Sequence, residues 1–248
     1  MIKEKIYFSS DFHLGNANIE ESHKREKLII KWLTEISRDA KAIYLVGDIF
    51  DFWFEYKKVV PKGFVRFLGK IAELTDNGIQ INLFVGNHDL WMHDYLEKET
   101  GITVHHEPKI IEEQGKKIFV GHGDGLGKGD YFYKFIKIIF ASKICQWAFA
   151  RLHPNFAFTI AHAWSRKSRI NHSGLPPSEH SEKEMLFYYC KEKQKTEPVD
   201  YYILGHKHNP LELKIDDIAT YINLGDWITH NTYASLDKGK IQLKKYSK

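Results

Sequence analysis

The side chains able to do chemistry in this 248-residue chain occur in clusters, and each cluster directly follows a short apolar run. In chain order the clusters are Asp11 with His13, Asp48, Asn87 with His88, His122, and His206 with His208. Carboxylate, amide and imidazole groups together suit Mn, Fe, Zn, Co or Ni better than a thiolate set would. The clusters therefore indicate a metal centre.

The number and spacing of these groups fit two ions better than one. Alternate side chains of an extended chain point the same way, so Asp11-x-His13 and His206-x-His208 are each expected to face one ion. Asp48 can bridge both. Two ions about 3.5–4 Å apart would activate a water and clamp the oxygens of an in-line displacement. A single Gly-Asp is usually a turn, but buried Asp and His at five strand ends are costly unless paired or ligated.

The apolar runs are short and rich in β-branched and aromatic residues, which is typical of buried strands. The predicted strands are Lys5–Ser9, Ala42–Val46, Ile81–Val85, Ile118–Val120 and Tyr201–Leu204. Helical patterns cover Glu20–Arg38, Gly63–Asn77 and Ser181–Lys193, with Gly78 placed to end the second. Strands that alternate with helices predict a layered α/β fold whose ligands gather beyond the carboxyl ends of the strands.

Three further pairs of segments are predicted hairpins, so antiparallel strands should join the parallel ones. The pairs are Lys109–Glu113 with Lys116–Val120, Leu211–Ile215 with Ile218–Asn223, and Thr232–Leu236 with Lys240–Tyr246. We expect one domain over residues 1–248. The alternation of strands and helices stops at about residues 126–178. We interpret this segment as a helical lid insertion.

The ordered motifs resemble the signature of the calcineurin-like metallophosphoesterase superfamily. They are Asp11-x-His13, Gly47-Asp48-x-x-Asp51, Gly86-Asn87-His88-Asp89, Gly121-His122-Gly123-Asp124 and Gly205-His206-x-His208. The resemblance implies a four-layer α/β/β/α sandwich. It implies one metal held by Asp11, His13, Asp48 and His208, and a second held by Asp48, Asn87, His122 and His206. His88 would then be the catalytic histidine that stabilises or protonates the leaving oxygen, an effect worth about 10²–10⁴-fold.

The predicted insertion also has an unusual charge. Residues 131–178 contain no Asp or Glu and carry a charge of +7, which points to an anionic partner. The apolar run at residues 131–149 is interrupted by Lys134, Lys137 and Lys143, too many for a bilayer-spanning helix. Two interpretations stay open: a buried core helix, or a lid whose apolar surface contacts acyl chains or a membrane surface, beside basic residues that favour anionic lipids.

A narrower resemblance concerns the substrate. His-Gly-Asp followed by Gly127-Lys128-Gly129-Asp130-Tyr131, the aromatic insertion and the basic cluster at residues 164–169 are similar to the UDP-2,3-diacylglucosamine pyrophosphatases of lipid A synthesis. The likeness implies release of UMP and 2,3-diacylglucosamine 1-phosphate, two divalent ions (usually Mn²⁺, with Zn or Fe as alternatives) and a peripheral protein on the cytoplasmic side of the inner membrane. The implied substrate contacts are Asn87, Asp130, Arg166, Ser168, Arg169 and His206. Arginine forks match diphosphate oxygens, although a solvated basic turn is the alternative.

Other functions are weighed against this one. Better-known members carry Arg at the position of His88 and Thr at that of Lys207, so another nucleotide diphosphate or a phosphodiester is the alternative substrate. A nuclease is disfavoured because no separate nucleic-acid-binding domain is evident, and we expect no nucleic-acid partner. A non-catalytic scaffold is disfavoured because every ligand position is filled. Two cysteines and the lack of a recognisable secretory signal favour a reducing, cytoplasmic location.

Overall fold

Eleven strands and the helices between them make up the part of the chain that the structure, a computed structural model, describes: residues 3–16, 18–127, 131–161, 163 and 185–247. The strands are β1 Lys5–Ser9, β2 Ala40–Val46, β3 Gln80–Phe84, β4 Thr103–His105, β5 Lys109–Glu113, β6 Lys116–Val120, β7 Tyr201–Leu204, β8 Leu211–Lys214, β9 Thr220–Asn223, β10 Thr232–Asp237 and β11 Lys240–Lys245. The labelled helices are α1 Ile19–Ile36, α2 Val65–Asp76, α3 Tyr95–Thr100, α4 Tyr131–Ala141, α5 Lys143–Phe149 and α6 Met185–Gln194.

The strands form two mixed sheets. The first has the order β11-β10-β1-β2-β3-β4. Strands β1 to β4 run parallel, β10 pairs antiparallel with β1, and β11 pairs antiparallel with β10. The second has the order β5-β6-β7-β9-β8, with β6, β7 and β9 parallel between two antiparallel edge strands. The three predicted hairpins are confirmed, because each pairs antiparallel in the register that its turn requires.

Alternation of side chains along the strands decides which face each residue covers. In β1, Ile6 and Phe8 enter the core between the two sheets, whereas Tyr7 packs under the helices. The helix-covered core of the first sheet includes Trp32 of α1 and Phe67 of α2. The outer face of the second sheet packs against α6. The layers are therefore helix, sheet, sheet and helix, and the predicted α/β/β/α sandwich is confirmed.

Local sequence explains where the helices begin and end. Asn18 precedes α1, and its side-chain oxygen accepts a hydrogen bond from the Glu21 N–H at 3.1 Å. After α2, Gly78 has a φ of +79° and donates its N–H to the Thr75 carbonyl at 2.9 Å, as predicted for a residue that ends a helix. The short elements α3 and β4 were not predicted, because six and three residues are too few to show a period.

The segment predicted as an insertion is helical where the structure describes it. It contains α4 and α5, and residues 154–161 are also helical. The interpretation as a buried core helix is wrong for these two helices, because none of their described side chains is buried. Whether the segment acts as a lid stays a prediction. Among the described residues, no helix has the length and apolar character needed to cross a membrane.

Contacts on two sides attach this segment to the loops at the sheet ends. The indole N–H of Trp91 donates to the Phe140 carbonyl at 2.7 Å, and the ring of Phe149 lies 4.8 Å from that of Trp91. On the other side, Lys137 forms an ion pair with buried Asp124 at 2.6 Å. Helices α4 and α5 therefore lie next to the loops that follow β3 and β6.

Candidate active site

All seven predicted metal ligands lie at the carboxyl ends of parallel strands. Asp11 and His13 follow β1, Asp48 follows β2 and Asn87 follows β3, all in the first sheet; His122 follows β6, and His206 and His208 follow β7, in the second sheet. Because the two sheets pack face to face, these ends meet at one edge of the sandwich. The structure brings the seven side chains together there.

One cluster contains Asp11, His13 and His208, with one oxygen of Asp48. The Nε2 atoms of His13 and His208 are 3.3 Å apart, and Asp11 Oδ1 lies 3.8 Å and 3.4 Å from them respectively. Asp48 Oδ2 is 3.7 Å from His13 Nε2. Ligand atoms about 2.1 Å from a shared tetrahedral ion would be separated by about 3.4 Å. The atoms of Asp11, His13 and His208 therefore have the spacing of a single metal-binding site, and Asp48 Oδ2 lies beside His13.

The second cluster contains Asp48, His122 and His206, with Asn87 beside them. The Nε2 atom of His122 is 3.3 Å from Asp48 Oδ2 and 3.3 Å from Asn87 Oδ1. The same oxygen of Asp48 thus contacts both clusters, while its Oδ1 accepts a hydrogen bond from the His88 N–H at 2.9 Å. This arrangement suits a carboxylate oxygen shared by two cations.

The backbone at these positions differs from the prediction. The paired residues were expected on extended chain, but five of the seven adopt left-handed φ values: Asp11 +55°, His13 +44°, Asp48 +52°, His206 +70° and His208 +54°. Non-glycine residues rarely adopt this region, and strained backbone clusters at functional sites. The side chains converge because the chain turns sharply after each strand, so the argument from strand alternation was wrong.

Two glycines show how closely these turns approach each other. A Cβ at Gly86 would collide with the Asp48 carboxylate, and a Cβ at Gly47, whose φ is +82°, would collide with the His122 ring. Only glycine allows both contacts. The Gly-Asp and Gly-Asn motifs therefore have a steric cause.

Hydrogen bonds from outside the clusters fix two of the histidine rings. His122 Nδ1 lies 2.9 Å from the Val46 carbonyl, which only accepts, so Nδ1 donates and Nε2 faces Asp48. His88 Nδ1 donates in the same way to the Asp51 carbonyl at 2.9 Å. Both ring orientations are thus set by backbone, as is usual around metal sites.

Burial and the neighbouring charges shift the pKa values of the site residues in opposite directions. Burial favours the neutral form of Asp48, but His122 and His88 hold the pKa of its carboxyl well below the ordinary value. Burial lowers the pKa of His122, yet Asp48 raises it well above the ordinary value. His13 behaves similarly, since Asp11 and Asp51 overcome burial and raise its pKa to about 10. By contrast, burial and then His122 lower the pKa of His206 to about 3.

One buried carboxylate oxygen of the site has no hydrogen bond, although two imidazole nitrogens lie near it. Asp11 Oδ1 is inaccessible to solvent and has no hydrogen-bond partner, whereas Oδ2 accepts from the His206 N–H at 3.1 Å. An ionised carboxylate oxygen in that position is costly unless a cation meets it. Together with the oxygen and imidazole donors, this atom fits divalent metal binding.

Comparison with known proteins supports the same conclusion. Residues 4–210 match the sequence model of the family described as Calcineurin-like phosphoesterase. The chain belongs to the calcineurin-like phosphoesterase family. Its relatives include a protein of Porphyromonas gingivalis that is 39% identical over 95% of each chain. A protein of Edwardsiella ictaluri is 27% identical over 95% of this chain and 90% of its own length. A protein of Neisseria meningitidis serogroup B is 27% identical over 93% of this chain and 92% of its own. All three are named UDP-2,3-diacylglucosamine hydrolase.

This calcineurin-like phosphoesterase is therefore a metal-dependent hydrolase with clusters suited to divalent ions. The predicted substrate contacts divide into two groups. Asn87 and His206 lie in the second cluster. Asp130, Arg166, Ser168 and Arg169 lie outside the described residues.

Sequence reasoning gave no role to two carboxylates that contact the phosphoesterase site. Asp51 Oδ1 is 3.5 Å from His13 Nδ1. Asp226 Oδ2 is 3.2 Å from His208 Nδ1, and Asp226 follows β9 in a Gly-Asp pair like that of Asp48. The signal was present, because Gly225-Asp226 would be a sixth polar cluster at the end of a parallel strand. It was missed because β9 was considered only as half of a hairpin.

Proposed function

We propose that this phosphoesterase cleaves the pyrophosphate bond of UDP-2,3-diacylglucosamine and releases UMP and 2,3-diacylglucosamine 1-phosphate, a step of lipid A biosynthesis. The observation that carries the proposal is the position of α4 and α5. These two helices contact the loops that bear the phosphoesterase clusters, and they also carry exposed apolar side chains. A substrate with a diphosphate and two acyl chains matches both surfaces at once. The names of the three relatives support the same substrate.

The proposed cofactors are two divalent ions, Mn²⁺ in the first place and Zn or Fe as alternatives. Asp11, His13, Asp48 and His208 would hold one ion, and Asp48, Asn87, His122 and His206 the other. When bound, such ions supply Lewis-acid stabilisation and lower the pKa of water toward about 7. The convergence of Asp48 Oδ2 on both clusters supports this division of ligands.

His88 is the proposed catalytic group that is not a ligand. The hydrogen bond from its Nδ1 to the Asp51 carbonyl fixes the ring. The backbone N–H of His88 donates a hydrogen bond to Asp48 Oδ1. In its protonated form the imidazole would give a proton from Nε2 to the departing sugar-phosphate oxygen. Burial lowers the pKa of His88, which makes the protonated ring a stronger acid.

Helices α4 and α5 are proposed to act as a lid that contacts acyl chains and the membrane surface. Among their exposed side chains, Phe135, Ile138, Ile144 and Trp147 each expose more than half of their area. Burying such a side chain contributes about 1.5–3 kcal/mol. Asp130, Arg166, Ser168 and Arg169 are proposed to bind the head group with Asn87 and His206. The protein would then associate peripherally with the cytoplasmic side of the inner membrane.

The test is turnover of the Mn²⁺-loaded protein with UDP-2,3-diacylglucosamine, compared with UDP-glucose, diadenosine polyphosphates and an aryl phosphodiester. We expect kcat/KM for the acylated substrate to exceed that for UDP-glucose by at least about 100-fold, since acyl burial contributes only to the former. In H₂¹⁸O the label should enter UMP, because attack falls on the α-phosphate. Faster cleavage of a water-soluble substrate would favour the alternative, another nucleotide diphosphate or a phosphodiester, which the departures at His88 and Lys207 also favour.

A further inference from the structure

His208 differs from His13, the other histidine of its cluster, in how its ring is held. Its side chain is 34% exposed, whereas that of His13 is 1% exposed. Packing therefore immobilises His13 but leaves one side of His208 open to solvent. The hydrogen bond between His208 Nδ1 and Asp226 Oδ2, at 3.2 Å, fixes its orientation from behind.

Asp226 is itself rigidly placed. Its side chain is only 6% exposed, and its Oδ1 accepts hydrogen bonds from the N–H groups of Thr229 at 2.8 Å and His230 at 3.0 Å. The next residue, Trp227, donates its N–H to the Asp11 carbonyl at 3.2 Å. The loop after β9 thus joins the carboxylate behind His208 to the backbone of the Asp11 ligand.

We infer that Asp226 is a positioning residue that holds His208 in the ring orientation and tautomer required for metal binding. An ionised carboxylate only accepts hydrogen bonds, so Nδ1 carries the proton and the lone pair of Nε2 faces the cluster. That Nε2 lies 3.4 Å from Asp11 Oδ1 and 3.3 Å from His13 Nε2. The inference rests on the proposed function, in which these groups share one ion. Loss of such an outer partner typically weakens metal binding about 10–100-fold.

The contrast with the second cluster makes the inference specific. His122 has a backbone carbonyl, that of Val46, behind its ring. No side-chain substitution removes that acceptor. A change at Asp226 should therefore weaken one ion and leave the other in place, which a general loss of structure would not do.

The decisive variant is Asp226→Asn. Its amide oxygen can still accept from Thr229 and His230, but its NH₂ group would face Nδ1 of His208 and donate to it. The ring proton then moves to Nε2, where it blocks coordination. Titration of the metal-free protein with Co²⁺, followed by visible absorption and calorimetry, should show one site weakened about 10–100-fold and the other within about twofold.

The matched control is Asp200→Asn. Asp200 also pairs with a side chain, Lys116 at 2.9 Å, and accepts a backbone N–H, that of Lys117, but it lies at the opposite end of β7 from His206. Both cobalt sites should keep their wild-type affinity in this variant. Equal weakening in the two variants would show that loss of a carboxylate charge, rather than positioning of His208, explains the effect.

A double variant tests whether Asp226 acts through His208. Adding Asp226→Asn to His208→Gln should change cobalt binding by less than about twofold, because the ring to be positioned is gone. The inference is overturned if Asp226→Asn binds both ions as the wild type does, or if the two changes add fully.

Wild-type protein that takes up two Co²⁺ ions but does not cleave UDP-2,3-diacylglucosamine would refute only the proposed substrate. Wild-type protein that binds no Co²⁺ would refute both.

Discussion

The cluster of metal-ligand candidates and the α4–α5 segment break the ordinary rules of burial in opposite directions. Asp11, Asp48 and His122 are charged or polar and at most 3% exposed. Ile144 and Trp147 are apolar and 77% and 61% exposed. Buried charge and exposed apolar surface both raise the free energy of the folded protein unless another molecule covers them. The two adjoining surfaces therefore differ in the partners proposed for them, cations at one and an amphiphile at the other.

Removing the carboxylate of Asp48, which contacts both clusters, should have the largest effect on activity. We expect Asp48→Ala to lose hydrolysis to background, a loss beyond about 10⁴-fold, because Asp48 would help to hold both proposed ions. His122→Ala should behave similarly. The far-ultraviolet circular dichroism should change little, since the three apolar cores lie elsewhere. Full activity in either variant would refute the ligand assignment.

Removing His88 separates proton donation from metal binding. We expect His88→Asn to lose about 10²–10⁴-fold in kcat while Co²⁺ binding stays within a few fold, because His88 is proposed as an acid and not as a ligand. An aryl phosphodiester with a nitrophenolate leaving group needs less protonation and should lose less. An equal loss for both substrates would contradict the role as a general acid.

Substitutions in the exposed α4–α5 segment should weaken the binding of amphiphiles and leave water-soluble substrates unaffected. Ile138→Ser with Ile144→Ser should weaken binding to vesicles of anionic phospholipid, and raise KM for the acylated substrate, by about tenfold or more. Turnover of the aryl phosphodiester should not change. Val65→Ser is the matched control, because Val65 is 78% exposed on α2 and lies in a different layer. Unchanged vesicle binding in the double variant would remove the lid from the proposal.

The two surfaces should also respond differently to pH. Because the pKa of His13 is raised to about 10 and that of His122 is also raised, both rings hold protons at neutral pH in the metal-free protein. Metal binding needs neutral imidazole, so these protons leave and apparent Mn²⁺ affinity rises with pH by about tenfold per unit for each proton released. It falls as the solution is acidified.

Calorimetry in buffers of different ionisation enthalpy measures the protons released. His206 contributes none, since its pKa is lowered to about 3 and its ring is already neutral. Vesicle binding through α4 and α5 should vary much less between pH 6 and 8, because lysine and arginine keep their charge there. Heats that do not depend on the buffer would contradict the raised pKa values.

The sequence by itself determined most of the strands and helices and the residue types of the candidate site. Strands β1 and β7 were predicted with the bounds that the structure has, because apolar runs between turn residues have a purely local cause. The seven ligand candidates were identified from residue type and from their position after strands. Such patterns depend on residue type and local spacing, and they can be identified without the three-dimensional fold.

Only the tertiary structure decided how those residues meet. The left-handed backbone at Asp11 and His208, the shared contacts of Asp48 Oδ2 and the carboxylate of Asp226 behind His208 depend on loops from two sheets lying against each other. The exposure of α4 and α5 likewise depends on what packs beside them, since the same apolar sequence fits a core helix or a surface one. Contacts between distant segments are set by packing, and packing is not encoded in any local pattern.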